Sequence, residues 1–294
     1  MMPNSFRACA YRLCTGALFF LLLATASFAA AGDLPTTRIL SLVPSHTEFL
    51  FAMGAGDMVI GVSDYCKQPP EAATRPHAGS LLNPNIERIL SLRPDVVILL
   101  DSQKELADKL AKLNIASQLI PADSLRQVYE AIQTLGAACG RTTAAEQMVS
   151  NLKSQIAEVA QRASGKPGAR VLVIQSRDAG SLQNLYVAGT DSFFNDLLIA
   201  AGATNAAPPG PHPSVVISKE QLAAADPDVI IDTTFTAGGE ETSPTESQRR
   251  VWQQMPALKA VKSGRVYFIT NPRLTVPGMA LPETATKLEE LIHR

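Results

Sequence analysis

Two glutamates occupy matching positions in the two halves of the sequence. Glu87 follows the helix-capping residue Asn85 by two positions, and Glu220 follows Ser218 in the same way. In both places, Pro-Asp-Val begins seven positions after the glutamate. The helix dipole stabilises a carboxylate in a first helical turn, which accounts for each residue alone. As a matched pair, they also predict exposed carboxylates that bind basic residues of a two-fold symmetric partner.

Histidines are the candidate metal ligands. His46, His77 and His212 are dispersed along the chain, without the short helical spacing of a metal-binding pair. Three dispersed histidines can still converge in a cleft and bind zinc, so a receptor for zinc or another metal ion is one alternative. Cys66 and Cys139 could pair in an oxidising compartment, but the sequence leaves their pairing open.

Enzyme signatures are missing from the sequence. It contains no Gly-x-Ser-x-Gly elbow and no Cys-x-x-Cys motif. Gly54-Ala55-Gly56 lacks the third glycine of a dinucleotide-binding loop. We therefore expect a binding protein that is not an enzyme, and an α/β enzyme is the less favoured alternative.

The two glutamates belong to a longer internal repeat. Arg38-Ile39-Leu40 and Arg170-Val171-Leu172 begin apolar runs 132 residues apart, and the segments around the glutamates recur at an offset of 133. Each half alternates short apolar strands with helices, which predicts mostly parallel sheets. We predict an α/β fold with two Rossmann-like lobes, an N-terminal lobe at 37–141 and a C-terminal lobe at 168–294.

One long helix is predicted between the lobes, at 142–165. Thr143 and Glu146 have the spacing of a capping box, and apolar residues recur at helical spacing as far as Ala163. About twenty helical residues span roughly 30 Å, the width of a small domain. This helix would join the lobes without a flexible hinge.

The periodicity predicts individual elements in both lobes. Predicted strands are 39–42, 58–62, 96–100, 117–120, 171–175, 229–232 and 266–270. Predicted helices are 45–53, 86–92, 104–112, 124–138, 192–201, 218–224, 249–260 and 280–293. The segment 236–247 is predicted to be an exposed loop, without an assigned role.

Charge and the N-terminus indicate the compartment. The 294 residues carry 26 basic and 27 acidic side chains and have no basic run, so we expect no nucleic-acid partner. Residues 1–31 have the basic start, the short apolar stretch and the small residues of a cleavable signal peptide. The exact cleavage site stays open, and we expect an exported, monomeric protein.

A series of motifs resembles one known family. The motifs are Arg38-Ile-Leu-Ser-Leu-Val-Pro-Ser-His-Thr-Glu48, Phe51-Ala-Met-Gly-Ala-Gly-Asp57, Val62-Ser-Asp-Tyr-Cys66, Asn83-Pro-Asn-Ile-Glu87, Tyr186-Val-Ala-Gly189 and Gly264-Arg-Val-Tyr267. They resemble the periplasmic substrate-binding proteins of ABC importers for vitamin B12, ferric siderophores and haem, and the cobalamin-type branch is the most similar.

The resemblance implies a function for several residues. It implies a ligand held between two lobes, no resident cofactor, and an inner-membrane permease dimer whose arginines meet Glu87 and Glu220. Tyr65 would border a corrinoid, beside Cys66, Leu81 and Leu82.

Haem and a ferric siderophore are the other ligands that this family implies. In the haem alternative, His46 or His212 would serve as an axial ligand. In the siderophore alternative, Arg177 and Arg273 would face the anionic chelate.

Overall fold

The computed structural model describes residues 37–80, 83–234 and 244–294. Residues 37–294 form one compact unit. The predicted signal peptide, Leu81, Leu82 and most of the predicted loop 236–247 lie outside the described residues. Within the described ranges, no helix has the length and apolar character needed to cross a membrane.

The N-terminal lobe contains a four-stranded parallel sheet in the order β2-β1-β3-β4. Its strands are β1 (Ile39–Ser41), β2 (Val59–Val62), β3 (Val96–Leu99) and β4 (Ser117–Leu119). Its helices are α1 (Pro44–Ala52), α2 (Pro70–Ala73), α3 (Ile86–Leu92), α4 (Lys104–Lys112) and α5 (Leu125–Ala138). Apart from the short α2, every element here was predicted from the periodicity.

The long connecting helix is α6 (Thr142–Ala163). The predicted capping box does not form, because α6 begins before Thr143 and its N-cap is Arg141. Its apolar face is buried as predicted and packs against α5. Gly136 of α5 permits this close approach, since a Cβ there would lie 2.4 Å from Cβ of Ala145.

The C-terminal lobe contains a sheet in the order β10-β9-β5-β6-β8, with β7 paired to the start of β5. Its strands are β5 (Arg170–Ser176), β6 (Leu185–Ala188), β7 (Thr204–Asn205), β8 (Ser214–Ile217), β9 (Val229–Asp232) and β10 (Val266–Phe268). Its helices are α7 (Phe193–Ala200), α8 (Lys219–Ala225), α9 (Glu246–Arg250), α10 (Lys259–Lys262) and α11 (Leu281–Ile292).

Two predictions for this lobe need correction. Strands β6 and β8 are antiparallel to their neighbours and were not predicted. The predicted helix 249–260 is wrong, because the chain forms α9, a 3-10 turn at Val251–Gln254 and α10 instead. Pro256, which has no backbone N–H, interrupts this segment.

The internal repeat is confirmed in the backbone. The N–H of Arg38 donates to Oδ2 of Asp95 at 2.7 Å, and the N–H of Asp95 donates to the Arg38 carbonyl at 2.9 Å. Arg170 and Asp228 form the same reciprocal pair at 2.9 and 2.8 Å. Each pair fixes the start of the lobe's first strand beside the strand that follows α3 or α8.

The largest cluster of buried apolar side chains includes residues of both lobes and of α6. Ile39 and Phe49 contribute from the N-terminal lobe, and Val171 and Leu197 contribute from the C-terminal lobe. Two smaller clusters lie on the other faces of the two sheets. The lobes therefore share one core.

Candidate functional site

The two lobes contact each other through segments that follow the carboxyl ends of strands. Oε2 of Glu48 in α1 accepts a hydrogen bond from the N–H of Met279, at 2.9 Å. Met279 lies in the segment after β10. Ligands of α/β proteins bind beyond the carboxyl ends of the strands, so this boundary is the candidate ligand site.

Tyr65 is a predicted site residue with an exposed side chain at this edge. It lies three residues after β2 and is 42% exposed. Asp64 beside it is 3.2 Å from Nδ1 of His77, measured from Oδ1. The phenol ring of Tyr65 therefore offers an open aromatic surface with a charged neighbour.

Cys66 has no surface for a ligand, although it follows Tyr65 directly. Its side chain is fully buried, and its Sγ lies 3.2 Å from the hydroxyl oxygens of both Thr47 and Ser63. Burial raises the pKa of this thiol. Cys66 and Cys139 are both free thiols, so they form no disulfide.

His46 is also directed into the protein. Its side chain is 0% exposed, and Nε2 lies 3.1 Å from the Ile120 carbonyl oxygen. Nδ1 lies 3.1 Å from Oγ of Ser45. Burial lowers the pKa of His46 to about 4, so the ring is neutral at pH 7. Both nitrogens are occupied, which leaves neither for a haem iron or a zinc ion.

Arg177 forms a buried ion pair instead of facing the cleft. Its Nε lies 3.0 Å from Oδ2 of Asp232, and the two side chains are 1% and 0% exposed. The indole N–H of Trp252 donates to the same oxygen at 3.1 Å. Arg177 also donates to the carbonyl of Ser181, at 3.3 Å. The guanidinium group therefore orders the turn after β5.

Arg273 and His212 are exposed, but they lie in different segments of the C-terminal lobe. Arg273 follows β10 and borders a cavity of about 580 Å³, together with Glu48, Phe51 and Arg75. His212 lies in the loop before β8. In the part of the chain that the structure describes, no three His, Cys, Asp or Glu side chains are grouped to hold a metal ion.

Tyr186 is a candidate site residue that the sequence analysis did not identify. It lies on β6 opposite Ser176, at the carboxyl end of β5, and is 46% exposed. Its cross-strand neighbour Val216 is 52% exposed. Tyr186 shares a sheet face with Ala188, which packs in the core common to both lobes. The ring therefore lies on the side of the sheet that faces this core.

Glu87 and Glu220 have equivalent environments. Each is the second residue of its helix and is exposed, and Asn85 and Ser218 cap the two helices through their side-chain oxygens. A hydrogen bond with the Ser218 side chain and one from the backbone lower the pKa of Glu220. Because α3 and α8 each precede a parallel strand after a short turn, both helices begin at the carboxyl edge of their sheet.

Comparison with known proteins agrees with this architecture. Residues 39–272 match the family model described as periplasmic binding protein. An uncharacterised ABC transporter substrate-binding lipoprotein of Bacillus subtilis is 31% identical over 264 residues, which cover 87% of this chain and 80% of that protein. A vitamin B12-binding protein of Pectobacterium carotovorum is 27% identical over 274 residues, covering 91% and 93%.

A solved structure has the same fold. The crystal structure of Staphylococcus aureus IsdE complexed with haem superimposes with a TM-score of 0.74 and 21% identity. The match covers 88% of this chain and 99% of that one. The repeated α/β lobes, the connecting helix and the match over residues 39–272 lead to one conclusion: the chain belongs to the periplasmic binding protein family.

Proposed function

We propose that this chain is the substrate-binding component of an ABC importer and that it binds a cobalamin-like or iron-chelate ligand between its lobes. The named relatives are a substrate-binding lipoprotein, a vitamin B12-binding protein and a haem complex. One observation carries the ligand assignment. Each lobe has one exposed tyrosine beside the carboxyl edge of its sheet, Tyr65 in the first and Tyr186 in the second.

A flat macrocycle fits the two tyrosines, Tyr65 and Tyr186, better than a small solute does. Aromatic rings stack on planar π systems, and a corrin or porphyrin offers such a surface over many atoms. With His46 buried, Tyr65, Tyr186 and His212 are the exposed side chains of this set whose oxygen or nitrogen could bind a metal. Arg273 adds one exposed positive charge for a carboxylate arm of the ligand.

Glu87 and Glu220 support the second half of the proposal, delivery to a permease dimer. Both carboxylates are exposed at the carboxyl edges of the two sheets, and the surrounding folds are repeats of one another. A two-fold symmetric permease would present one basic site to each of them. Such charge pairs chiefly set orientation and association rate. In this proposal the protein acts as a periplasmic monomer.

Titration of the protein with cyanocobalamin, haemin and a ferric siderophore tests the proposed ligand class. We expect saturable one-to-one binding of one of them, followed by its absorbance and by quenching of Trp252 fluorescence. Tyr65→Ala and Tyr186→Ala should each weaken that binding by about tenfold, because each removes one stacking surface.

Leu113→Ala is the matched control, because Leu113 is also 42% exposed and follows the carboxyl end of α4, away from the cleft. It should bind like the wild type. Failure of all three ligands to bind would contradict the ligand class. Unchanged affinity in both tyrosine variants would contradict the assigned cleft.

A further inference from the structure

Two buried or half-buried carboxylates connect the lobes, in addition to α6. Glu48 of the N-terminal lobe accepts from the N–H of Met279 in the C-terminal lobe, at 2.9 Å. Asp196 of the C-terminal lobe accepts from the N–H of Leu125 in the N-terminal lobe, at 2.8 Å. The two contacts are reciprocal, since each lobe provides one carboxylate and one backbone donor.

The two contacts lie at opposite edges of the sheets. Helix α1, which carries Glu48, follows β1 near the β2 edge, and Met279 follows the edge strand β10. Leu125 follows the edge strand β4, and Asp196 lies in α7 after β6 on the other side of the second sheet. Together with the shared core and α6, one contact would restrain the boundary at one edge, whereas two separated contacts restrain it at both.

Neighbouring residues support both contacts. Glu48 is only 9% exposed, and a Cβ on residue 278 would lie 2.6 Å from its Oε2, so a side chain at position 278 would displace this carboxylate. At the other edge, the N–H of Phe193 donates to the Asp123 carbonyl at 2.5 Å, beside the Asp196 contact. Helix α5 has its own cap at Ser124, so Asp196 is not required to begin that helix.

We propose that Glu48 and Asp196 are positioning residues that fix the width of the cleft and thereby determine which planar ligand fits between Tyr65 and Tyr186. The ligand part of this inference rests on the proposed function. The mechanical part states that each contact stabilises the other through the rigid lobes. It does not depend on the proposed function.

Hydrogen exchange measured by mass spectrometry tests the mechanical part on the intact chain. Asp196→Ala, Glu48→Ala and Gly278→Ala are compared with the wild type in peptides that contain Leu125 and Met279. Each variant should speed exchange about tenfold at its own contact. It should also speed exchange at the opposite contact, where nothing has been changed.

Glu289→Ala is the matched control, because Glu289 is a buried carboxylate whose partners, Arg162 and Lys166, lie at the end of α6 and just beyond it. It should leave both peptides unchanged. If Asp196→Ala affects only the Leu125 peptide and Glu48→Ala only the Met279 peptide, the contacts act locally and the proposal is wrong.

Ligand selectivity tests the second part, with cyanocobalamin and haemin as the probes. The ratio of their affinities should change at least about fivefold in Glu48→Ala and Asp196→Ala, and it should stay constant in Glu289→Ala. If the ratio of the two affinities is unchanged while exchange becomes faster at the opposite contact, the selectivity role is wrong and the mechanical part stands. If neither probe binds the wild type, the selectivity role is wrong. The ferric siderophore titration then decides the proposed function, and the exchange experiment still decides the mechanical part.

Discussion

Replacing Asp232 with alanine removes the acceptor at the centre of a buried network. Three donors lose their partner: Nε of Arg177 at 3.0 Å, Nε1 of Trp252 at 3.1 Å, and the N–H of Thr234, which donates to Oδ1 at 3.1 Å. Breaking a buried ion pair from one side costs about 3–5 kcal/mol, because the remaining charge stays buried. We expect Asp232→Ala to lower the free energy of unfolding by this amount.

Urea denaturation, followed by circular dichroism and by Trp252 fluorescence, measures this decrease in the free energy of unfolding. The matched control is Asp108→Ala, because Asp108 pairs with Lys104 at 3.2 Å while the two side chains are 61% and 74% exposed. An exposed pair of this kind contributes less than about 1 kcal/mol. The difference between the variants isolates the effect of burial.

A double replacement completes the test. Arg177→Met with Asp232→Leu removes both charges and keeps apolar volume, which is often neutral for a buried pair. It should therefore restore most of the stability lost in Asp232→Ala. A loss below about 1 kcal/mol in Asp232→Ala, or a double variant less stable than the single one, would refute the reasoning and reopen Arg177 as a ligand contact.

The remaining predictions concern docking and pH. Glu87→Ala combined with Glu220→Ala should abolish ligand uptake by cells, while the purified protein keeps its ligand affinity. Glu146→Ala changes an exposed glutamate on α6 and should leave uptake and affinity unchanged. Lost ligand affinity in the double variant would argue against the docking role. The pKa of His46 is about 4 in the folded protein and 6.5 ordinarily, so the unfolded chain binds a proton first as the pH falls. The contribution of the neutral His46 ring to the free energy of unfolding is complete above pH 6.5. It decreases by about 3 kcal/mol as the pH falls to 4. The free energy of unfolding, measured at pH 7.5 and 4.5, should fall more in the wild type than in His46→Gln, and equal falls would contradict the buried neutral ring.

The fold was predictable where its elements follow a simple period. The N-terminal strands, α3 to α6 and the repeat all appear in the spacing of apolar residues and in the two Pro-Asp-Val sequences. Strand β8 was missed because its exposed Val216 and buried Ile217 do not differ in hydropathy. The error at 249–260 has a similar cause, since Val251 and Trp252 suggest a helical face that Pro256 interrupts.

The candidate site was predictable in position but not in side-chain direction. The family resemblance named Tyr65, Cys66, His46 and Arg177 as candidates, and all four follow the carboxyl ends of strands in the two sheets. Of these four, the structure leaves only Tyr65 open to solvent. A sequence cannot show that Arg177 meets Asp232, because the two residues are 55 positions apart and are joined only through the neighbouring strands β5 and β9. Tyr186 stood in a motif of the family resemblance, but it was not identified as a site residue and its strand was not predicted.

The reciprocal Arg–Asp pairs at the start of each lobe have a consequence for the shape of the cargo. Two separate copies of one such lobe would form a symmetric dimer, whose site would have identical walls and would favour a ligand with the same symmetry. Within a single chain, each copy can change without the other. In the proposed site, the residues of one wall follow the parallel strand β2, and those of the other lie on the antiparallel strands β6 and β8. In the proposed site, the covalent connection would therefore suit a molecule whose two faces differ.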